Sequence, residues 1–273
     1  MSVLQPSGRL TIGASEFEYR MVGPSPDAAP TLVLLHEGLG SVGLWGDFPD
    51  RLAAATGVGV FAYSRAGYGA SSPVPLPRPL DYMQREALDV LPQLLEAIGF
   101  RRGLLVGHSD GASIAAIYAG SVQDHRVRGV GLIAPHFIVE DISVQSIAKI
   151  KTDYEQTDLR AKLARWHSDV DNAFYGWNGA WLDPAFRAWD ISDVLAYIRV
   201  PILIVQGADD HYGTLRQIEI AQEECYCPVE VEIIPGAAHS PHREAAEVTL
   251  AAVSGFVNRI LRVHGEGAVE RAA

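Results

Sequence analysis

Short apolar runs alternate along the chain with segments of helical spacing, and this alternation is the first structural signal in the sequence. Residues 9–22 alternate between apolar and polar side chains, which predicts a β-hairpin with its turn near Gly13 and Ala14. Largely apolar strands, of the kind buried in parallel sheets, are predicted at residues 31–35, 58–63, 103–106, 127–134, 200–206 and 229–234. Helices are predicted at residues 47–56, 81–98, 112–119 and 244–263. Pro92 is expected to kink the second helix, because proline has no N–H group to donate. Strands that alternate with helices indicate an α/β protein with a mostly parallel, doubly wound sheet.

One segment departs from this alternation. Residues 140–196 contain no strand pattern and are predicted to be helical. They lie between two core strands, so we expect a core of residues 1–139 and 197–273 with a helical cap formed by residues 140–196. Ligands of open α/β sheets bind at the carboxyl edge of the strands, where this cap is expected to lie. Most of its many aromatic rings are expected to attach the cap to the core, and the candidates for lining a pocket are Trp166, Trp177 and Trp181.

The net charge of the chain argues against some classes of binding partner. The chain has 273 residues and a formal net charge of −11 at pH 7, which argues against nucleic acid and anionic membrane surfaces. No apolar stretch is long enough to span a membrane, and residues 1–10 lack the features of a secretory signal. Cys225 and Cys227 are too close for an easy disulfide and lack partners for a metal site. These features predict a cytoplasmic protein with reduced thiols and no metal.

The sequence Gly107-His108-Ser109-Asp110-Gly111 has the G-x-S-x-G pattern of a nucleophile elbow. It follows a predicted strand and precedes a predicted helix, which is the context that the motif requires. The turn is so tight that side chains at the two glycine positions would clash with the strand and the helix. Ser109 is therefore expected to expose its hydroxyl above the helix N-terminus, where developing negative charge is stabilised.

A serine hydroxyl is a weak nucleophile at neutral pH, so it needs a base within hydrogen-bond reach and an acid that orients the base. His239 follows the last predicted strand and is the candidate base, whereas the competing His242 is expected to begin the last helix. The acid candidates follow two other strands. They are Asp209 and Asp210 after residues 200–206 and, less favoured, Glu140 and Asp141 after residues 127–134.

Acyl transfer also needs two backbone N–H groups that point at the developing oxyanion. One donor is expected from Asp110, the residue after the nucleophile. The other is expected from the loop after residues 31–35, where Gly38 is the first choice and Leu39 the alternative. Glycines in this loop would allow the backbone to turn an N–H group inward.

These motifs occur in one order over nearly the whole chain, at residues 36–40 (HEGLG), 64–71 (SRAGYGAS), 107–111, 207–210 and His239. In this order the chain resembles the α/β-hydrolase fold superfamily, in particular its cap-bearing esterase and meta-cleavage-product hydrolase branch. The resemblance implies the α/β-hydrolase fold, with a mostly parallel doubly wound sheet and a helical cap insertion. It also favours Asp210 as the acid of a Ser-His-Asp triad, because the family places the acid three residues after the glycine that is Gly207 here.

Two residues depart from the family pattern. Glu37 stands where a glycine is usual, and its carboxylate is expected to point away from the oxyanion. Asp110 stands where many relatives carry a larger apolar residue, and its side chain is expected to stabilise the helix N-terminus. Arg65 is expected to hold the oxyanion loop, to contact a substrate carboxylate or to form a structural ion pair, for example with Glu37. Further candidates for lining the pocket are Leu39, His136 and Tyr212.

The ordered residues and the resemblance predict a serine hydrolase that cleaves a small carboxylic ester through an acyl-enzyme, without a cofactor. The aromatic cap favours an apolar or aromatic ester as the small-molecule substrate. The first alternative is a carbon–carbon bond hydrolase of the meta-cleavage-product type, since the same triad serves both reactions. The second is a non-catalytic small-molecule receptor on the same fold. The sequence leaves the oligomeric state open, a homodimer included.

Overall fold

A computed structural model describes residues 4–261 of the chain. Within these residues eight strands form one sheet in the order β1-β2-β4-β3-β5-β6-β7-β8. The strands are β1 (Ser7–Ile12), β2 (Ser15–Val22), β3 (Thr31–Leu35), β4 (Gly59–Tyr63), β5 (Gly103–His108), β6 (Val127–Ile133), β7 (Ile202–Gly207) and β8 (Val229–Ile234). The predicted hairpin of β1 and β2 is antiparallel and pairs with the edge of β4, and β3 to β8 are parallel. The predicted mostly parallel sheet is therefore confirmed.

Helices cover both faces of the sheet. They are α1 (Phe48–Thr56), α2 (Tyr82–Arg85), α3 (Leu91–Ala97), α4 (Asp110–Ser121), α5 (Asp141–Gln156), α6 (Leu159–Leu163), α7 (Val170–Leu182), α8 (Ser192–Leu195), α9 (Arg216–Glu224), α10 (Pro241–Glu244) and α11 (Ala246–Leu261). In β3, Leu32 and Leu34 pack in the cluster that includes α1 and α11, whereas Val33 and Leu35 pack in the cluster that includes α3 and α4. This burial on both faces explains why the parallel strands are almost uniformly apolar.

Two predicted helices are interrupted. The helix predicted over residues 81–98 divides into α2, a π-helical turn at Glu86–Val90 and α3, which begins one residue before Pro92. Pro92 has no N–H group, so regular helical hydrogen bonding cannot continue through this position. The helix predicted over residues 244–263 is wrong at its start, because α10 and α11 are separated by the non-helical Ala245. Residues 262 and 263 of that prediction lie outside the described residues.

Between β6 and β7 the regular elements are helices joined by turns and loops, together with an isolated bridge between Ile138 and Asp190. Helices α5 and α7 pack against each other and contribute Ile147, Trp177 and Trp181 to a cavity at the carboxyl ends of the strands. No helix within residues 4–261 combines the length and apolar character needed to cross a membrane. Loops that follow the parallel strands therefore meet at one cavity, which residues of α5 and α7 also line.

Candidate active site

Ser109 lies in the sharp turn between β5 and α4 and has a strained backbone conformation, with φ of 53° and ψ of −120°. Neighbouring glycines make this turn possible. A Cβ atom on Gly107 would lie 2.2 Å from the Gly111 carbonyl oxygen, and one on Gly111 would lie 2.0 Å from the Leu35 carbonyl oxygen. The turn therefore admits no side chain at either position, and it presents Ser109 to the cavity.

The structure brings Ser109, His239 and Asp210 into one hydrogen-bonded line. Ser109 Oγ lies 2.9 Å from His239 Nε2. His239 Nδ1 lies 2.8 Å from Asp210 Oδ2 and 3.0 Å from Asp210 Oδ1. This is the arrangement in which a carboxylate orients an imidazole and the imidazole accepts the serine proton.

The competing acids and base lie elsewhere. The side chain of Asp209 is exposed, Glu140 accepts hydrogen bonds from Thr214 and Gln217, and Asp141 pairs with an arginine on the surface. His242 is buried between aromatic rings, 5.1 Å from Trp45 by ring centroids. Of the candidates weighed from sequence, only the pair of Asp210 and His239 reaches Ser109.

Asp210 is held as a carboxylate. Burial alone would raise its pKa, but the hydrogen bond and charge of His239 and the N–H group of Tyr212 lower the pKa to about 2. Gln206 Nε2 also donates to Asp210 Oδ2 at 2.7 Å, and the Tyr212 N–H donates to Oδ1 at 2.7 Å. These donors fix the carboxylate in position, so it can hold the His239 ring in one orientation.

The expected oxyanion donors, Gly38 and Asp110, both line the cavity. A Cβ atom on Gly38 would lie 2.0 Å from Trp177 Nε1, so only glycine fits beneath this ring. The carbonyl of Glu37, which shares a peptide unit with the Gly38 N–H, lies 2.7 Å from His36 Nδ1 and accepts from Arg65 Nη2 at 2.8 Å. These two contacts hold the peptide in one orientation.

A polar network buried in the core surrounds Asp110. Tyr82 Oη donates to Asp110 Oδ2 at 2.5 Å, Trp181 Nε1 lies 3.3 Å from Oδ1, and Arg65 Nη2 lies 3.8 Å from Oδ2. The expectation that the Asp110 side chain stabilises the helix N-terminus was incomplete, because its carboxylate oxygens contact the side chains of this network. Arg65 forms its ion pair with Asp110 and not with the carboxylate of Glu37, whose backbone it holds.

The carboxylate of Glu37 lies beside a histidine ring. Its Oε2 lies 3.4 Å from Nδ1 of His108, the residue before the nucleophile, and the Nε2 of that ring lies 2.7 Å from the His239 carbonyl. Burial would raise the pKa of Glu37, but the hydrogen bond and charge of His108 and the charge of His36 lower it well below its usual value. Glu37 is therefore a carboxylate at the wall of the cavity.

The cavity has a volume of about 230 Å³. The predicted pocket residues that line it are Leu39, His136, Trp177, Trp181 and Tyr212. The prediction for Trp166 was wrong: this ring is 44% exposed and lies over Gly43, where a Cβ atom would come within 2.7 Å of it. Sequence reasoning missed Ile147, His211, Ser240 and Glu244 in the lining. Ser240 and Glu244 closely follow the candidate base in sequence, so their place in the lining could have been predicted from its position. No feature of the sequence indicated Ile147.

Comparison with known proteins identifies the family. The sequence profile described as the alpha/beta hydrolase family matches residues 32–252, so the chain belongs to that family. A proline iminopeptidase of Lactobacillus helveticus (strain DPC 4571) is 34% identical over 111 residues, which are 41% of this chain and 37% of the relative. The match thus spans little more than a third of that relative's length.

Two solved structures share the architecture. Proline iminopeptidase from Mycobacterium smegmatis is 19% identical, with a TM-score of 0.73 over 93% of this chain and 98% of that chain. The enol-lactonase from Burkholderia xenovorans is 20% identical, with a TM-score of 0.71 over 92% of this chain and 100% of that chain. At these identities the structural matches show a common fold. The assignment to the alpha/beta hydrolases rests on the family match.

Proposed function

We propose that this protein is a serine hydrolase that cleaves a small carboxylic ester through an acyl-enzyme. The observation that carries the proposal is the line from Ser109 Oγ to His239 Nε2, at 2.9 Å, and from His239 Nδ1 to Asp210, at 2.8 Å. A nucleophile, its base and an orienting acid at these distances are what acyl transfer requires.

In the proposed mechanism the Ser109 oxygen attacks the ester carbonyl while His239 Nε2 takes the hydroxyl proton. The Asp210 carboxylate stabilises the imidazolium that forms. The N–H groups of Gly38 and Asp110 stabilise the oxyanion of the tetrahedral intermediate. His239 then gives its proton to the leaving alkoxide, and a water molecule activated by the same base releases the acid.

The proposal assigns the insertion of residues 140–196 the role of a cap over the site. Ile147 from α5 and Trp177 and Trp181 from α7 form its contribution to the cavity wall. These apolar surfaces favour a substrate with a small apolar or aromatic part, since a cavity of about 230 Å³ leaves little room for a longer chain. The enol-lactonase among the similar structures supports an ester, because a lactone is a cyclic ester.

Carbon–carbon bond hydrolysis is less well supported. That branch of the superfamily surrounds its substrate's carboxylate with further polar residues, including an arginine. Among the described residues, those that line this cavity include Glu37 and Glu244 and no arginine or lysine. Arg65 is buried behind Asp110 and is 1% exposed, so it does not offer its charge to a ligand. A receptor that does not catalyse would have no need for the aligned triad.

The test is hydrolysis of a p-nitrophenyl ester series from acetate to decanoate plus benzoate by wild type and Ser109→Ala. We expect the substitution to reduce kcat/KM by at least about 10³-fold, because the nucleophile is lost. Ser121→Ala, at the exposed end of the same helix, is the matched control and should keep wild-type activity. Proline p-nitroanilide in the same assay tests the peptidase activity named for the similar proteins.

Retention of full turnover by Ser109→Ala would contradict the proposal. A wild-type protein that hydrolyses none of the esters and also does not react with a fluorophosphonate probe would favour the receptor. Labelling by the probe without ester hydrolysis would favour the carbon–carbon bond hydrolase, for which a dienoate ketone is the direct assay.

A further inference from the structure

His136 places a polar ring in the wall of the cavity. The residue is 2% exposed and follows β6. Its backbone is fixed, because its carbonyl accepts a hydrogen bond of 2.6 Å from Ser113 Oγ. Neither ring nitrogen makes a hydrogen bond to any protein group within residues 4–261, and Nδ1 is completely enclosed.

The ring lies beside the reacting groups. Its centroid is 5.6 Å from that of His239 and 5.1 Å from that of Trp181. Since Nδ1 is enclosed and the ring lines the cavity, Nε2 is the nitrogen that faces a bound molecule. This nitrogen has no hydrogen-bond partner within residues 4–261 and lies at the cavity, so it is available to hydrogen-bond a group on the substrate.

The charge state of the ring limits what it can bind. Burial, together with the charge of His239, lowers the pKa of His136 to about 3, so the imidazole is neutral at neutral pH. A neutral imidazole has one donor and one acceptor nitrogen and does not form an ion pair. The carboxylates of Glu37 and Glu244 in the same lining would repel an anionic substituent.

We propose that His136 hydrogen-bonds a hydroxyl group on the substrate, which makes the substrate class an uncharged ester with a hydroxyl near its scissile carbonyl. A hydroxyl both donates and accepts, so it satisfies the facing nitrogen in either tautomer of the ring. The remainder of the substrate contacts the apolar walls formed by Ile147 and Trp177. This inference rests on the proposed ester hydrolysis and specifies its substrate.

The experiment compares esters that differ only by a hydroxyl in place of a methyl group. The pairs are p-nitrophenyl lactate with isobutyrate, p-nitrophenyl 3-hydroxybutyrate with isovalerate, and 2-hydroxyethyl butyrate with propyl butyrate. In wild type we expect the hydroxyl ester of at least one pair to have a kcat/KM about tenfold higher than its methyl partner, since a site built for a hydrogen bond discriminates against its absence.

The variant His136→Phe should abolish that ratio, whatever its absolute rate. His125→Phe makes the same chemical change at an exposed position of another surface and should keep the ratio. A thermal melt identifies folded variants, and the wild-type ratios test the inference even if His136→Phe does not fold.

Ester hydrolysis with no ratio above about twofold in any pair would overturn the role of His136 alone. A preference that persists in folded His136→Phe would do the same. Absence of hydrolysis for all six esters, with no reaction at Ser109, would overturn the proposed function and this inference with it.

Discussion

At the scale of single residues, the most consequential side chain outside the triad is Arg65. It is 1% exposed and connects the two parts of the expected oxyanion hole, through the Glu37 carbonyl at 2.8 Å and the Asp110 carboxylate at 3.8 Å. Burial opposes its charge, but Tyr68, Asp110 and Glu86 raise the pKa of Arg65 above its ordinary value. The protein therefore holds a permanent cation behind the site that neutralises Asp110.

Loss of both members of this pair should cost less than the sum of the two single losses. In Arg65→Gln the Asp110 charge stays buried without a cation, and we expect the free energy of unfolding to fall by about 3–5 kcal/mol. Asp110→Asn should have a similar cost for the same reason. The double variant should recover about 1–3 kcal/mol relative to the sum of the single changes. Urea unfolding of the four proteins measures this coupling, and strictly additive losses would show that the pair does not interact.

At the scale of elements, the unit of β5, the elbow and α4 determines where the nucleophile lies. All residues of α4 except Ser121 are buried, and small side chains let the helix lie close to the sheet. At Gly111 the helix lies against the end of β3, where the Leu35 carbonyl leaves no space for a Cβ atom. Packing between the helix and the sheet therefore fixes the same segment that presents Ser109 to the cavity.

Two glycine-to-alanine changes test this argument. Gly111→Ala would place a Cβ atom 2.0 Å from the Leu35 carbonyl oxygen, and we expect it to cost about 3 kcal/mol through overpacking and to reduce ester hydrolysis. Gly179→Ala lies in α7, is exposed and meets nothing within 4 Å. It should stabilise the protein by about 0.5–1 kcal/mol because alanine is the better helix former. Thermal unfolding measures the change in stability of each variant relative to wild type. Equal changes in the two variants would argue against close packing at Gly111.

The elbow and the strands could be predicted because their signals are local. A tight turn requires glycine next to it, and a strand buried on both faces is apolar throughout, so Gly107, Gly111 and β3 are evident from a few neighbouring residues. The line from Asp210 to His239 was predictable because both follow strands of the parallel sheet, whose carboxyl ends meet at one edge. Asp210 was separated from its neighbour Asp209 only by the resemblance to a known family.

The parts that could not be predicted depend on contacts between distant segments. Asp110 hydrogen-bonds Tyr82 and Trp181, which are 28 and 71 residues away in sequence. No local sequence pattern predicts that network. Trp166 is an aromatic residue of the kind that often lines pockets, but the packing of its segment places it over Gly43. Such contacts are set by how the insertion docks on the core, which residue spacing does not encode.

At the scale of the whole molecule, the core contains several histidines that are uncharged at neutral pH. Burial is the main cause of the lowered pKa values of His36, His136 and His242, the last two to about 3. Protonation in the folded state would place a cation in the core without solvent. The unfolded chain has no such restriction, so acid should favour unfolding.

The sign and size of this effect follow from proton binding. Between the ordinary pKa of 6.5 and the folded value of about 3, the unfolded chain binds a proton that the folded protein excludes. The free energy of unfolding is therefore unaffected above pH 6.5 and falls below it, by about 1.4 kcal/mol per pH unit for each such histidine. Burial raises the pKa of Glu86 above its ordinary value of 4.5, and between these two values its protonation favours the folded state. The contribution of a single histidine is therefore best measured as a difference between a variant and wild type.

His242 is suited to such a comparison between a variant and wild type. Its ring is 4% exposed, packs 5.1 Å from Trp45 and 5.7 Å from Phe48, and its Nδ1 has no partner. A phenyl ring suits these surroundings, so we expect His242→Phe to be within about 1.5 kcal/mol of wild type at pH 7. At pH 5 the variant should have gained about 2 kcal/mol relative to wild type, because it has no proton to exclude. Urea unfolding at the two pH values, with exposed His125→Phe as the control, measures the gain. An unchanged difference between pH 7 and pH 5 would mean that the His242 site admits a charged ring, and burial would then not be what makes the core sensitive to acid.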